Sequence, residues 1–161
     1  MSVIAFIALD TGEVRALQHG APDANGQKPE RHISDGDGVP CRHCQRDVGK
    51  GEAYLILNYR PFPALQPYAE SGPIFIHAEP CERYAQTSEA PDMFFKNGRR
   101  YLIKGYYAND RIAYGTGTIV APEEMEKAAT KILERDDIAY VHVRSALNNC
   151  YQLRIERVGR A

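Results

Sequence analysis

The chain has no tryptophan, five phenylalanines, and no apolar run approaching the ~20 residues of a membrane span. It also lacks a charge bias: 20 Lys and Arg stand against 21 Asp and Glu, for a formal charge of −1. No overall field therefore favours nucleic acid or an anionic membrane, and neither partner is expected. The opening MSVIAFIALDTGEV has no basic n-region and meets Asp10 and Glu13 too early for a secretory signal, so a cytoplasmic protein is expected. Four cysteines stand at uneven spacing. In a reducing compartment they read as metal ligands, small buried residues or reactive thiols. Repeats and low-complexity tracts are missing too, which excludes solenoids and leaves a domain boundary nowhere obvious.

What remains is ordinary globular material. With 161 residues, 43% hydrophobic and 25% charged, one domain spanning 1–161 can bury a core without covalent staples. VIAFIA (3–8) is a short apolar run, read as a strand with a helical turn as the alternative. Residues 20–40 are punctuated by Gly, Pro, Asp and Asn and read as an irregular loop. Strands are expected at 52–59 (EAYLILNY) and 73–78 (PIFIHA), separated by a loop over 61–72. An Asn97-Gly98 turn precedes the strand RRYLIKGYY, and 111–120 (RIAYGTGTIV) reads as a strand with a bulge near Gly115 and Gly117. Pro122, Glu123 and Glu124 start a helix whose apolar stripe is Met125, Ala128, Ala129, Ile132 and Leu133, ending near Arg135. Strands 138–144 and 150–156 flank a five-residue connection. The order of elements predicts an α+β fold: a largely antiparallel sheet, one clear C-terminal helix (about 122–135) and long loops.

Keeping every apolar residue of the last hairpin on one face pairs Val143 with Tyr151, Val141 with Leu153 and Ala139 with Ile155. Tyr140, His142, Arg144, Cys150, Gln152 and Arg154 then share the other face. In that register His142 and Cys150 are diagonal neighbours about 7–8 Å apart at the backbone. A Cys–His pair is the minimal unit for thiol nucleophilic catalysis, and arginines can hold a carboxylate or phosphate. Cys150, His142 and Arg144 are thus candidate catalytic residues of a small-molecule enzyme. The plain alternative is an outer sheet face, solvated or half covered.

The strongest chemical signal is Cys41-Arg42-His43-Cys44 together with His77-Ala78-Glu79-Pro80-Cys81. Two thiolates on a tight turn, with an imidazole and a third thiolate from a strand end, supply the four donors of a tetrahedral site. Three sulfurs and one nitrogen suit Zn²⁺ or, less often, iron, and four protein ligands make the site structural. His32 and His43 are spare imidazoles that could replace His77; ordinary buried cysteines are the bland alternative. A thioredoxin-like role for Cys41–Cys44 needs a helix after the first cysteine, and Asp47-Val48-Gly49-Lys50-Gly51 is not one. Weaker signals favour plain surface roles: Gly115-Thr116-Gly117-Thr118 lacks the lysine of a phosphate loop, and Glu70 has no visible acid–base partner. Arg99 and Arg100 beside Tyr101, Tyr106 and Tyr107 read as one strand with an outward face.

The stretches PCRHCQRDVGKGEAYLILNYRPF, PYAESGPIFIHAEPCERY and IAYVHVRSALNNCYQLRIER resemble an uncharacterised bacterial family, the domain of unknown function numbered 1203, over about residues 3–157. The resemblance implies one compact domain in a bacterial cytoplasm and brings no activity, substrate or catalytic residue. The family's general pattern corresponds to Pro40-Cys41-Arg42, Gly72-Pro73-Ile74-Phe75 and Cys150-Tyr151. Cys44 and the His77/Cys81 pair are features of a subset, which would assign a metal to that subset's structure and a general function to the region of Cys41, Arg42 and Cys150. The expectation is therefore a binding or interaction domain with structural zinc at Cys41, Cys44, His77 and Cys81, its partner a small molecule or a protein. The Cys150/His142 enzyme and a metal-free scaffold are the alternatives.

Overall fold

The computed structural model describes residues 3–159. The order of elements is β1 (Val3–Ile7), α1 (Thr11–Gln18), β2 (Glu30–Ile33), β3 (Ala53–Tyr59), β4 (Gly72–His77), a 3₁₀ turn (Asp92–Phe95), β5 (Tyr101–Tyr106), β6 (Thr118–Val120), α2 (Pro122–Leu133), β7 (Tyr140–Ser145) and β8 (Tyr151–Val158). Five strands form one sheet in the order β1-β8-β7-β5-β6, and β2-β3-β4 form a second. All the paired strands run antiparallel, as the α+β reading expected. Among the described residues no helix is long and apolar enough to cross a membrane.

Two cores explain the layering. Helix α2 lays Met125, Ala129 and Leu133 onto Ile103, Val141, Val143, Leu153 and Ile155, on one face of the five-stranded sheet. Its start is the expected one, with Pro122 in the first turn and Glu123 and Glu124 beside the N-terminal dipole. A second core gathers Val14 and Leu17 of α1, Leu55 and Leu57 of β3, Ile74 and Ile76 of β4, Cys41 and Cys44, and Tyr151 of β8. The small sheet and α1 therefore lie across the face of the large sheet opposite α2.

The structure corrects the sequence reading at four places. Helix α1 was not expected, because eight residues with only Val14 and Leu17 buried give no stripe; its start is set by Asp10, whose carboxylate accepts from the Glu13 N–H at 3.1 Å. Strand β2, inside the presumed loop, is exposed throughout and so carries no periodicity. Of the strand expected over 111–120, Thr118–Val120 forms a strand along β5, and Ile112 makes an isolated bridge to Tyr106. Before it, the Thr116 hydroxyl accepts the Gly105 N–H at 2.9 Å and donates to the Ala113 carbonyl at 2.6 Å, taking the place of a ladder partner.

The fourth correction concerns the last hairpin. Val141 pairs with Ile155 and Val143 with Leu153, a shift of two positions from the expected register, and Arg144 then faces Tyr151 across a bulge. One extra residue in β8 moves Tyr151 out of the α2 core and onto the opposite face. That face is not solvated. His142 is 1% exposed, with Phe62, Tyr106, Tyr140 and Tyr151 around its ring at centroid distances of 4.7–5.2 Å.

Where α2 presses on β5, the space beside Gly105 is tight. A Cβ on Gly105 would sit 3.0 Å from Ile132 Cγ2 and 3.1 Å from Ile138 Cγ2. Gly105→Ala is expected to lower stability by ~1–3 kcal/mol, read from the urea midpoint at unchanged slope.

Candidate metal centre

The sequence between β2 and β3 folds back on itself to make a turn. Val48 N–H donates to Val39 C=O at 2.8 Å, Cys41 N–H to Arg46 C=O at 3.0 Å, and Gln45 N–H to Cys41 C=O at 3.0 Å. Gln45 takes a left-handed backbone (φ 58°) that favours glycine. Its side-chain amide offsets the strain by donating to the carbonyls of Arg42 (3.0 Å) and Gln152 (3.3 Å). Arg42 N–H donates to Phe75 C=O at 3.0 Å, laying the turn beside β4. The Arg42 guanidinium is buried and donates to the carbonyls of Tyr151 and Pro40, each at 2.7 Å. Burial holds its pKa down to about 10, against the raising influence of Cys150 and Cys41.

Strand β4 ends at His77, and the chain turns through Glu79 and Pro80 to Cys81. Helix α1 clamps that turn: Gln18 Nε2 donates to the carbonyls of His77 (2.9 Å) and Glu79 (3.0 Å), and Arg15 Nη2 to that of Cys81 (2.8 Å). The four predicted donors meet as a result. Donor atoms of Cys41, Cys44, His77 and Cys81 all lie within 4.8 Å of one another. The Sγ atoms of Cys41 and Cys81 are 3.9 Å apart, and Cys44 Sγ is 3.5 Å from His77 Nδ1. Zn–S near 2.3 Å and Zn–N near 2.0 Å give tetrahedral edges of about 3.8 Å and about 3.6 Å. The sulfur pair is far from the ~2.05 Å of a disulfide, and all four cysteines are free.

The surroundings favour negative charge on sulfur. Cys41 is pushed down to about 3, first by the neighbouring thiols of Cys44 and Cys81, then by the backbone N–H groups of Cys44 and His43. The same crowding pushes Cys81 up, led by Cys41. Three thiols so close can carry one negative charge easily and further charges only at rising cost, unless a cation lies between them. His77 is held above the usual imidazole value, chiefly by its hydrogen bond with Cys44.

A second set of groups orients these donors. Buried His43 places Nδ1 3.1 Å from Cys81 Sγ and Nε2 2.9 Å from the Thr11 hydroxyl. Burial lowers its pKa and keeps it neutral. When Cys81 is a thiolate, as a metal ligand must be, Nδ1–H donates to the sulfur and the Thr11 hydroxyl donates to Nε2. Glu52 Oε2 lies 4.0 Å from His77 Nε2, beyond hydrogen-bond length, and its charge adds to the raising of the His77 pKa. Of the two spare imidazoles, His43 thus serves beside the quartet. His32 sits exposed on β2, with its Nε2 2.9 Å from Glu30 Oε1. A cleft of about 380 Å³, lined by Arg46, Asp47, Glu52, His77, Glu79, Pro80 and Cys81, opens on one side of the centre.

The other sequence candidates do not come together. Ser145 N–H donates to Cys150 C=O, which places Cys150 three residues along β7 from His142, about 10 Å by strand rise. Among the described residues the Cys150 thiol has its hydrogen-bond contact with the Asn148 carbonyl, at 3.7 Å. His142 is held well below the usual imidazole value by burial and by Arg144, Arg154 and Lys104. It supplies no imidazolium to stabilise a thiolate. Arg144 does lie on the His142 face, next to it in β7 numbering by two.

Sequence reasoning missed Thr11, Arg15, Gln18 and Glu52. The Asp10-x-x-Glu13 spacing of a capping box was the available signal for α1; nothing in the sequence pointed to its contacts with 77–81. His43→Gln is expected to weaken zinc binding by roughly 10–100-fold in competition with a chelating dye, with stoichiometry unchanged.

No curated protein and no solved structure matches the chain. Residues 38–157 match a family described as "Protein of unknown function (DUF1203)". The matched stretch starts later than the expected residue 3, leaving β1, α1 and β2 outside it. It contains the whole quartet, both β3–β4 and β7–β8 hairpins, and helix α2, and the chain belongs to this DUF1203 family.

Proposed function

We propose that the protein is a binding domain stabilised by a structural zinc ion at Cys41, Cys44, His77 and Cys81. The observation that carries the metal reading is the convergence of four donors from two separate turns, with edges of 3.9 Å and 3.5 Å. Three thiolates and an imidazole match Zn²⁺ in charge and softness. Four protein donors leave no position for water or substrate, so the ion supplies cohesion and no hydrolytic chemistry. It would fasten the 41–44 turn to the end of β4 and to the segment that α1 grips. The thiols must stay reduced to serve, which favours a reducing compartment such as the bacterial cytoplasm. A domain built this way presents surfaces to a small molecule or a protein.

Metal analysis of protein purified without a histidine tag tests the reading. About one zinc per chain is expected in the wild type and a loss of most of it in Cys44→Ser. Less than about 0.3 zinc per chain in fresh wild type overturns it.

A further inference from the structure

The inner face of the β5–β7–β8 sheet holds a buried positive charge that makes no ion pair among the described residues. Arg144 is 5% exposed. Its Nη1 donates to the Asn149 carbonyl at 3.2 Å, while Nε and Nη2 find no partner. These two nitrogens form one edge of the guanidinium, the edge whose parallel N–H bonds match two oxygens of a carboxylate or phosphate. Other arginines differ: buried Arg42 spends Nε and Nη1 on carbonyls, and half-buried Arg157 spends Nε and Nη2 on three. Among the described residues Arg144 alone leaves that whole edge buried and unpaired. Arginine cannot shed its proton, so the charge stays.

Neighbouring groups point the same way. The buried Tyr106 hydroxyl makes no well-aligned hydrogen bond, but it lies close enough to the Arg144 side chain to interact with it directly, and Glu70 acts on it from farther off. Lys104 pairs across β5 with His142 and stands over the Tyr106 ring, 5.8 Å from its centroid. Its ammonium is 3.7 Å from Glu70 Oε1, a half-exposed carboxylate on the 61–72 loop that also places Phe62 on His142. His142 Nδ1 is buried and unpaired as well, and the ring is kept neutral by Lys104, Arg144 and Arg154 in addition to burial. The remaining charges are satisfied: Arg154 is paired with Glu156, and Asp110 accepts from the Tyr140 hydroxyl.

We propose that Arg144, Lys104 and Tyr106 form a binding site for the carboxylate or phosphate group of a small molecule, with Glu70 as the internal carboxylate that the ligand displaces. The fork of Arg144 takes two oxygens, the Tyr106 hydroxyl donates to one of them, and Lys104 exchanges Glu70 for the ligand. The proposal gives the binding role above a ligand class and rests on that role, while needing no metal; zinc content measured on the same samples separates the failure of one reading from that of the other.

Isothermal titration of the full chain with inorganic phosphate and, separately, with succinate, at ionic strength matched by sodium chloride, tests the site and tells the two anion types apart. Saturable binding in the millimolar range or tighter is expected for at least one probe. Arg144→Lys keeps the charge but removes the fork and should weaken it by at least about tenfold. Glu70→Gln removes the competitor and should tighten it about threefold or more. No saturable heat with either probe up to about 10 mM overturns the proposal, as does undiminished binding by Arg144→Lys. If Arg144→Lys does not fold, unchanged or weaker binding by Glu70→Gln overturns it equally.

Discussion

Three thiols and an imidazole held within 4.8 Å of one another is the constraint on which the small-sheet half of the structure depends. The crowding is unfavourable for more than one thiolate and becomes favourable around a divalent cation. The donors come from separate pieces of backbone, each held by its own hydrogen bonds. The 39–48 turn is closed by three main-chain bonds, the segment after β4 by side chains of α1. One ion would couple these pieces at once. A structural zinc in small peptides supplies about 10–16 kcal/mol, comparable to the whole stability of a domain.

From that centre the consequences run into the core between the sheets and on to the aromatic cluster around His142. Cys41 and Cys44 are members of the core between the sheets, so their positions also set how Ile74 and Ile76 of β4 meet Tyr151 of β8. Tyr151 in turn packs on His142, and Phe62 of the 61–72 loop closes the other side of the same ring. The polar face of β7 is thereby sealed, and its charges must be answered inside the protein or by a ligand. On the proposed reading, cohesion and recognition would be divided between two places, a sulfur-rich centre at the end of β4 and a cationic face on β5 and β7.

Much of this was legible in the sequence, for physical reasons that differ by element. The quartet could be read because the Cys-x₂-Cys and His-x₃-Cys spacings fix which donors can share an ion regardless of fold. Helix α2 could be read because its apolar stripe repeats over three turns. The register of β7 and β8 could not, because alternation assumes equal strand lengths and one extra residue of β8 breaks it at Tyr151. The same bulge, together with a strand end, separated His142 from Cys150. The burial of His142 depends in part on Phe62, which folds back from 80 residues away, and no local pattern encodes that. Nor does any encode the grip of α1 on 77–81, which rests on single hydrogen bonds from Arg15 and Gln18.

The central claim is that these four side chains hold one ion between them. X-ray absorption at the zinc edge of the zinc-loaded full chain measures that shell directly. The account predicts three sulfurs near 2.3 Å and one nitrogen near 2.0 Å, with no water oxygen. A shell dominated by nitrogen and oxygen, or one with fewer than three sulfurs, would contradict it.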